Sequence, residues 1–300
     1  MYLSRRNFLT TAAGLGAATV LASLDPANAA GSGDLKIQLY TADDHAFRVN
    51  SVILTGAREA ILVDAQFSLA HAHRLAADVL AAGKELTTVY ITHAHPDHYF
   101  GIEVIKAAFP GAKIVATPMV AADIEAGFPK KIATWGPKLG ANAPAKPTLP
   151  QALSGSTLTL EGHTIDVIGP VQGDVANNTI LSIPSLKAVI AGDTVYAGTH
   201  VWTASSDATE RAAWAKTLDR IVALKPEIVV PGHLGPATPL TLAGVEHTRN
   251  YLKAFDAVAA SEKKSDAIIK AMTAKYPELA LAVMLELGAK VAAGDMPKWD

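Results

Sequence analysis

The sequence predicts an α/β protein of the α+β type in which two β-sheets pack together with helices on their outer faces. Two observations carry this expectation. Short β-branched and aliphatic runs are followed by helical segments, and that progression of strands then helices occurs a second time further along without any sequence repeat. The chain also has 300 residues, half of them hydrophobic, enough to bury a large core as one domain over residues 30–300 with a helical C-terminal segment.

Residues 35–40, 47–54 and 60–63 read as strands joined by short turns, the last ending at Asp64. An Ala/Leu-rich helix over 70–82 is closed by Gly83, and 88–92 is a buried strand. Helix, strand and helix then alternate over 102–109, 113–116 and 120–126. The stretch 127–151 is rich in Gly, Pro and Lys, contains Trp135 and has no clear period. Such a stretch in a compact domain is either a functional lid or a passive surface insertion, and the sequence leaves both open. Strands 157–160 and 164–168 flank Glu161-Gly162-His163 as a hairpin, and 179–183 pairs with 188–191 around Pro184-Ser185. A helix over 208–224 leads into the short buried strand 228–230, and beyond Pro239 the chain reads as helical nearly to its end.

Residues 1–29 read as an address. Arg5 and Arg6 precede an apolar run and then Ala27-Asn28-Ala29, a small-x-small cleavage pattern. The paired arginines before Asn7-Phe8-Leu9 resemble the twin-arginine signal, which carries folded proteins to the periplasm, and a metalloprotein gains from a route that lets its metal be chosen before export. The apolar run is short for a membrane span, so no stable membrane insertion of the mature chain is expected. Formal charge is −2, and without Arg5, Arg6 and Asp25 it becomes −3, which gives no support for nucleic-acid binding and leaves a small molecule as the expected partner. Oligomeric state is not encoded in any motif. There is no cysteine, so any metal must be held by histidine and carboxylate.

His93-Ala94-His95-Pro96-Asp97-His98 directly follows the strand at 88–92. Alternate residues of an extended segment share a face, so His93 and His95 can reach one metal; Asp97 and His98, past the turn set by Pro96, can reach a second. Without a metal, such density at one strand end would leave groups unpaired or mutually repelling. Gly192-Asp193-Thr194 follows the strand 188–191, and Pro231-Gly232-His233 follows 228–230.

His-x-His-x-Asp-His with these two later motifs, in this order, resembles the metallo-β-lactamase superfamily over roughly residues 35–236. The resemblance implies the four-layer αββα sandwich, with Asp193 as a bridging aspartate and His233 as the last histidine ligand. It implies two divalent ions, zinc first with iron or manganese as alternatives, roughly 3.5–4 Å apart and clamping a hydroxide. It further implies a hydrolase acting on a carboxylic ester, lactone, thioester or lactam, with Asp97 also orienting the hydroxide as the catalytic carboxylate. One position departs from the family pattern. A further histidine is usual between the hairpin and the bridging aspartate, and Asp174 is the natural match for it here. A carboxylate can bind zinc or iron, so the first ion is assigned His93, His95 and Asp174, and the second Asp97, His98 and His233; the alternative is that Asp174 is a solvated turn residue and the first site is weak.

The remaining histidines are weighed against this set. His71 and His73 share the His-x-His spacing but lie on a helix, where residues two apart diverge. His163 in a hairpin turn is expected to be exposed, and His45 and His247 to be structural. His200, beside Trp202, is a candidate for lining the substrate pocket together with Trp202 and Trp135, and Asp64 is a candidate for orienting the ligands from behind. Two rival functions stand. His93, His95 and Asp174 form the two-histidine, one-carboxylate set of non-haem iron oxidoreductases, and the scaffold could also serve as a non-catalytic periplasmic metal-binding protein.

Overall fold

Residues 35–299 are described by a computed structural model; the signal segment expected over 1–29 lies outside them. The first sheet starts as an antiparallel meander of β1 (Lys36–Thr41), β2 (Asn50–Thr55) and β3 (Glu59–Val63). It continues in parallel through β4 (Glu85–Tyr90), β5 (Lys113–Ala116) and β6 (Gln151–Ala152). In the second sheet β7 (Thr157–Leu160), β8 (His163–Val171), β9 (Asn178–Ile183) and β10 (Ala188–Ile190) are antiparallel neighbours, and β12 (Ile228–Val230) lies parallel to β10. A small parallel pair, β11 (Tyr196–Ala197) with β13 (His233–Leu234), stands apart from both.

Alternation along the strands builds the layers. Val52, Leu54, Ile61 and Val63 turn inward onto Leu158, Ile165, Leu181 and Ile190 of the second sheet. Ile53, Ala60 and Leu62, of opposite parity, face outward onto α1 (Leu69–Ala81), α3 (Ile102–Ala108) and α4 (Pro118–Leu139) through Leu75, Val79, Ile105 and Ile124. On the far side Ile180, Val189 and Val229 pack against α5 (Ala208–Ala223), α6 (Leu242–Ser261), α7 (Ser265–Lys275) and α8 (Ala282–Ala293) through Trp214, Phe255, Ile268 and Leu285. The result is helices, sheet, sheet, helices: the expected αββα sandwich, because period-2 strands with both faces apolar must be covered on both sides. Among the described residues no helix is long and apolar enough to cross a membrane.

The clearest departure from the sequence reading is at 127–151. The helix does not stop at residue 126 but runs to Leu139, through Pro129 and Pro137. Val120, Ile124, Phe128, Ile132, Trp135 and Leu139 recur at spacings of three and four and cover the first helical layer. That burial outweighs the backbone hydrogen bonds lost at the two prolines, whose breaking signal hides the period in the sequence. Only residues beyond the following 3₁₀ turn (Gly140–Asn142) are irregular before β6 begins.

Candidate metal centre

Every candidate ligand sits where a strand of one of the sheets has just ended. β4 is followed by Ile91 and Thr92, whose N–H donates to Asp64 Oδ1 at 2.8 Å, and then by His93 and His95 on an extended segment. His95 caps a one-turn helix, α2 (Pro96–Tyr99), that carries Asp97 and His98. Asp174 comes from the β8–β9 connection, Asp193 from the turn after β10, and His233 opens β13. His93, His95, Asp174 and Asp193 form one buried group and Asp97, His98 and His233 another, each with one ligand atom per residue within 4.8 Å of the others.

Asp193 lies between the groups. Its Oδ2 is 3.5 Å from His93 Nε2, 3.8 Å from His95 Nδ1 and 3.1 Å from His233 Nε2, while Oδ1 is 3.1 Å from His98 Nε2. The approach depends on Gly232, where a Cβ would fall 1.9 Å from Asp193 Oδ1 and 2.8 Å from the carbonyl carbon of Gly192. Asp97 Oδ2 is 3.5 Å from His233 Nε2. Asp174 is fully buried, so the solvated-turn alternative does not hold. Its Oδ1 accepts from Val175 N–H and Asn178 Nδ2, which leaves Oδ2 facing His95 Nδ1 at 2.8 Å.

Three imidazoles are oriented from behind. His93 Nδ1 donates to Thr92 Oγ1 at 3.0 Å, because that hydroxyl already gives its proton to Asp64 Oδ2. His98 Nδ1 donates to the same carboxylate oxygen at 2.7 Å, and His233 Nδ1 to the Phe47 carbonyl at 2.6 Å. Each tie fixes the tautomer and turns the lone pair of Nε2 into the cluster, the arrangement in which histidines bind metals. Buried His93 Nε2, His98 Nε2 and Asp193 Oδ1 have no well-aligned hydrogen-bond partner among the described residues. Orphaned polar atoms converging from separate elements fit a cation better than they fit one another.

The electrostatics agree. Burial lowers the pKa of His95, but the charge and hydrogen bond of Asp174, with help from Asp193 and Asp97, push it up to about 9. His98 is raised well above its ordinary value, since burial is overcome by Asp193, Asp64 and Asp97. Burial opposes ionisation of Asp193, yet His233, His98 and His93 hold it well below the usual carboxylate range. A field that holds protons on buried imidazoles also attracts a divalent cation that would displace them.

A cavity opens on the cluster, lined by His95, Asp97, Asp193 and His233 and by the apolar groups of Phe47, Trp135, Trp202, Met284 and Trp299. Trp135 and Trp202, two of the candidates for the substrate pocket, both line this cavity. His200 does not: it is buried away from the cavity with Nδ1 3.0 Å from Tyr251 Oη, because its backbone pairs with Ala280 and turns the ring towards α6. His71 is buried beside Ser68 and Asp43 while His73 is exposed, so the two diverge as expected. His163 is half-buried at the start of β8 rather than exposed, His45 is exposed, and His247 donates to the Thr199 carbonyl.

The sequence reading missed Tyr196. Its hydroxyl donates to Asp193 Oδ2 at 2.9 Å and reaches Asp174 Oδ2 at 3.3 Å, and its ring stacks on His233 with centroids 5.1 Å apart. Burial and the two aspartates raise its pKa well above the ordinary value, so it remains a phenol and a donor. Its place three residues after Asp193 is visible in the sequence, but its pairing with His233 across β11 and β13 is not.

The Metallo-beta-lactamase superfamily profile matches residues 46–233. No curated protein matches the chain. Among solved structures, the chain is similar to the DIM-1 metallo-β-lactamase, with 20% identity and a TM-score of 0.53 over 74% of this chain and 94% of that one. It is similar to a metallo-β-lactamase from Pontibacter korlensis, with 21% identity and a TM-score of 0.55 over 74% and 96%. A metallo-β-lactamase family protein from Thermus thermophilus gives 18% identity and a TM-score of 0.62 over 87% and 91%. These neighbours share the fold, and the matched region contains the whole ligand constellation from His93 to His233. The chain belongs to the metallo-β-lactamase superfamily.

Proposed function

We propose that the protein is a metal-dependent hydrolase that cleaves a carboxylic ester, lactone, thioester or lactam. The observation that carries this reading is the sharing of Asp193 by two buried ligand groups, one completed by His93, His95 and Asp174, the other by Asp97, His98 and His233. These residues would hold two divalent ions, zinc or the harder iron or manganese. Bound there, the ions supply Lewis acidity towards a carbonyl and a nucleophile from water near neutral pH. Asp97, which lines the cavity, would orient that nucleophile. The Tyr196 phenol neutralises part of the charge on Asp193 and Asp174 by hydrogen bonding, and the aromatic wall limits water beside the reacting group.

A second reading, an iron-dependent oxidoreductase, is favoured by the two-histidine, one-carboxylate group of His93, His95 and Asp174. The complete second group favours hydrolysis over it. Metal analysis of purified protein, followed by ester, lactone, thioester and lactam substrates and by oxygen uptake, decides between them. Two ions per chain and hydrolysis lost in His95→Ala and His233→Ala are expected. One iron with oxygen uptake supports the second reading, and metal with no reaction supports a non-catalytic metal-binding role. The arginine pair and the Ala27-Asn28-Ala29 pattern support export to the periplasm. A mature chain beginning near residue 30 in the periplasmic fraction is the expected finding.

A further inference from the structure

The cavity over the cluster is small, about 40 Å³, and its outer wall is aromatic. Trp299 sits between Trp135 and Trp202, with ring centroids 5.8 Å from each, and Phe47 packs edge-on to Trp135 at 5.6 Å. The three indoles are not held alike. Trp135 rides on α4, and Trp202 Nε1 donates to Ser205 Oγ at 2.8 Å. Trp299 belongs to the segment beyond Gly294, ties its backbone N–H to the Ala204 carbonyl at 2.9 Å, and is half-buried.

The charges around the cavity are equally specific. Among the described residues its lining contains no lysine or arginine, and its titratable groups are His95, Asp97, Asp193 and His233 of the cluster and the phenol of Tyr196. The neighbouring ammonium groups have other partners: Lys131 donates to the Ala94 carbonyl, Lys138 lies 4.4 Å from the Trp135 ring centroid, and Lys298 pairs with Glu210. A carboxylate on the part of the substrate lying against the indoles would be stripped of water with no lysine or arginine of the lining to receive it. An ammonium group there would also lose its water, and contact with the ring faces returns less than that loss.

Resting on the hydrolase reading, we propose that Trp299 is a displaceable plug and that the substrate carries an uncharged, flat apolar group that takes its place between Trp135 and Trp202. The metal-loaded protein can be tested with phenyl acetate, 4-carboxyphenyl acetate and 3-(trimethylammonio)phenyl acetate, and with the corresponding acetanilides as slowly cleaved ligands whose binding is read by tryptophan fluorescence. The neutral member is expected to exceed both charged members by about tenfold or more in kcat/KM and in affinity. Trp299→Ala, with Trp299→Leu as a second variant, is expected to bind the neutral anilide more tightly, because no indole has to be displaced; Trp135→Ala is expected to bind it more weakly. Equal or better binding of either charged member overturns the substrate class. Weaker binding in both Trp299 variants shows a fixed wall and overturns the plug. Because the anilides report binding alone, neutral preference without any ester cleavage would fault the hydrolase reading and leave this one intact.

Discussion

Asp64 Oδ2 lies 2.7 Å from His98 Nδ1, and this one hydrogen bond turns the opposite ring nitrogen towards Asp193 Oδ1, 3.1 Å away. The same carboxylate holds the Thr92 backbone N–H and hydroxyl, so it sets both His98 and, through Thr92, His93. Asp64 has a φ of 61°, a left-handed conformation that asparagine also tolerates. Asp64→Asn is therefore expected to keep the fold while lowering metal affinity by about 10- to 100-fold. Competition with a chromophoric chelator measures this, and unchanged affinity would remove Asp64 from the site.

Gly232 has no room for a side chain beside Asp193 and Gly192. Gly232→Ala is expected to lower stability by about 1–3 kcal/mol and to reduce bound metal together with it, since the clash bears on the shared carboxylate. A variant with normal melting temperature and full metal content would show that the two turns can separate without cost.

Asp174 is the expected match for a histidine of the family pattern, and a carboxylate there is one charge more negative than a neutral imidazole. Asp174→His makes the centre more positive by one charge, which favours deprotonation of the nucleophile. In protein shown to retain both ions, the acidic limb of the pH–rate profile is expected to move to lower pH. Superimposable limbs at equal metal occupancy would place Asp174 outside the ligand set.

Protein stripped of metal should have an unusual pH dependence of stability. His95 has a folded pKa of about 9, above its ordinary 6.5, because burial is outweighed by Asp174 and its neighbours. A raised pKa means that the unfolded chain releases the proton first, so the stabilisation is full below about pH 6.5 and is lost as pH rises through about 9. His98 and His233 are shifted in the same direction. The melting temperature of stripped protein is expected to fall by on the order of 5 °C between pH 6.5 and 9, and the fall should disappear when metal is restored. A flat profile for the stripped protein would contradict the proposed His95–Asp174 pairing.

Local pattern was sufficient for the layers and for most of the cluster. Strand parity in Val52–Leu54 and Ile61–Val63 is a local property, and the motif from His93 to His98 concentrates four polar groups within six residues, so both can be read without knowing what lies opposite. Asp174 could be picked out only by its position in the order of elements; its complete burial and its contact with His95 required the β8–β9 turn to fold over the first sheet. The rest depends on partners distant in sequence. Tyr196 joins the centre because β11 pairs with β13, and His200 leaves it because its backbone pairs with Ala280. Phe47, Trp135, Trp202, Met284 and Trp299 meet over one cavity although the first and last lie near opposite ends of the described chain, and α4 persists through two prolines because its buried face repays the lost hydrogen bonds. Periodicity marks which face of an element is apolar, but which groups share a cavity follows from packing that no local pattern contains.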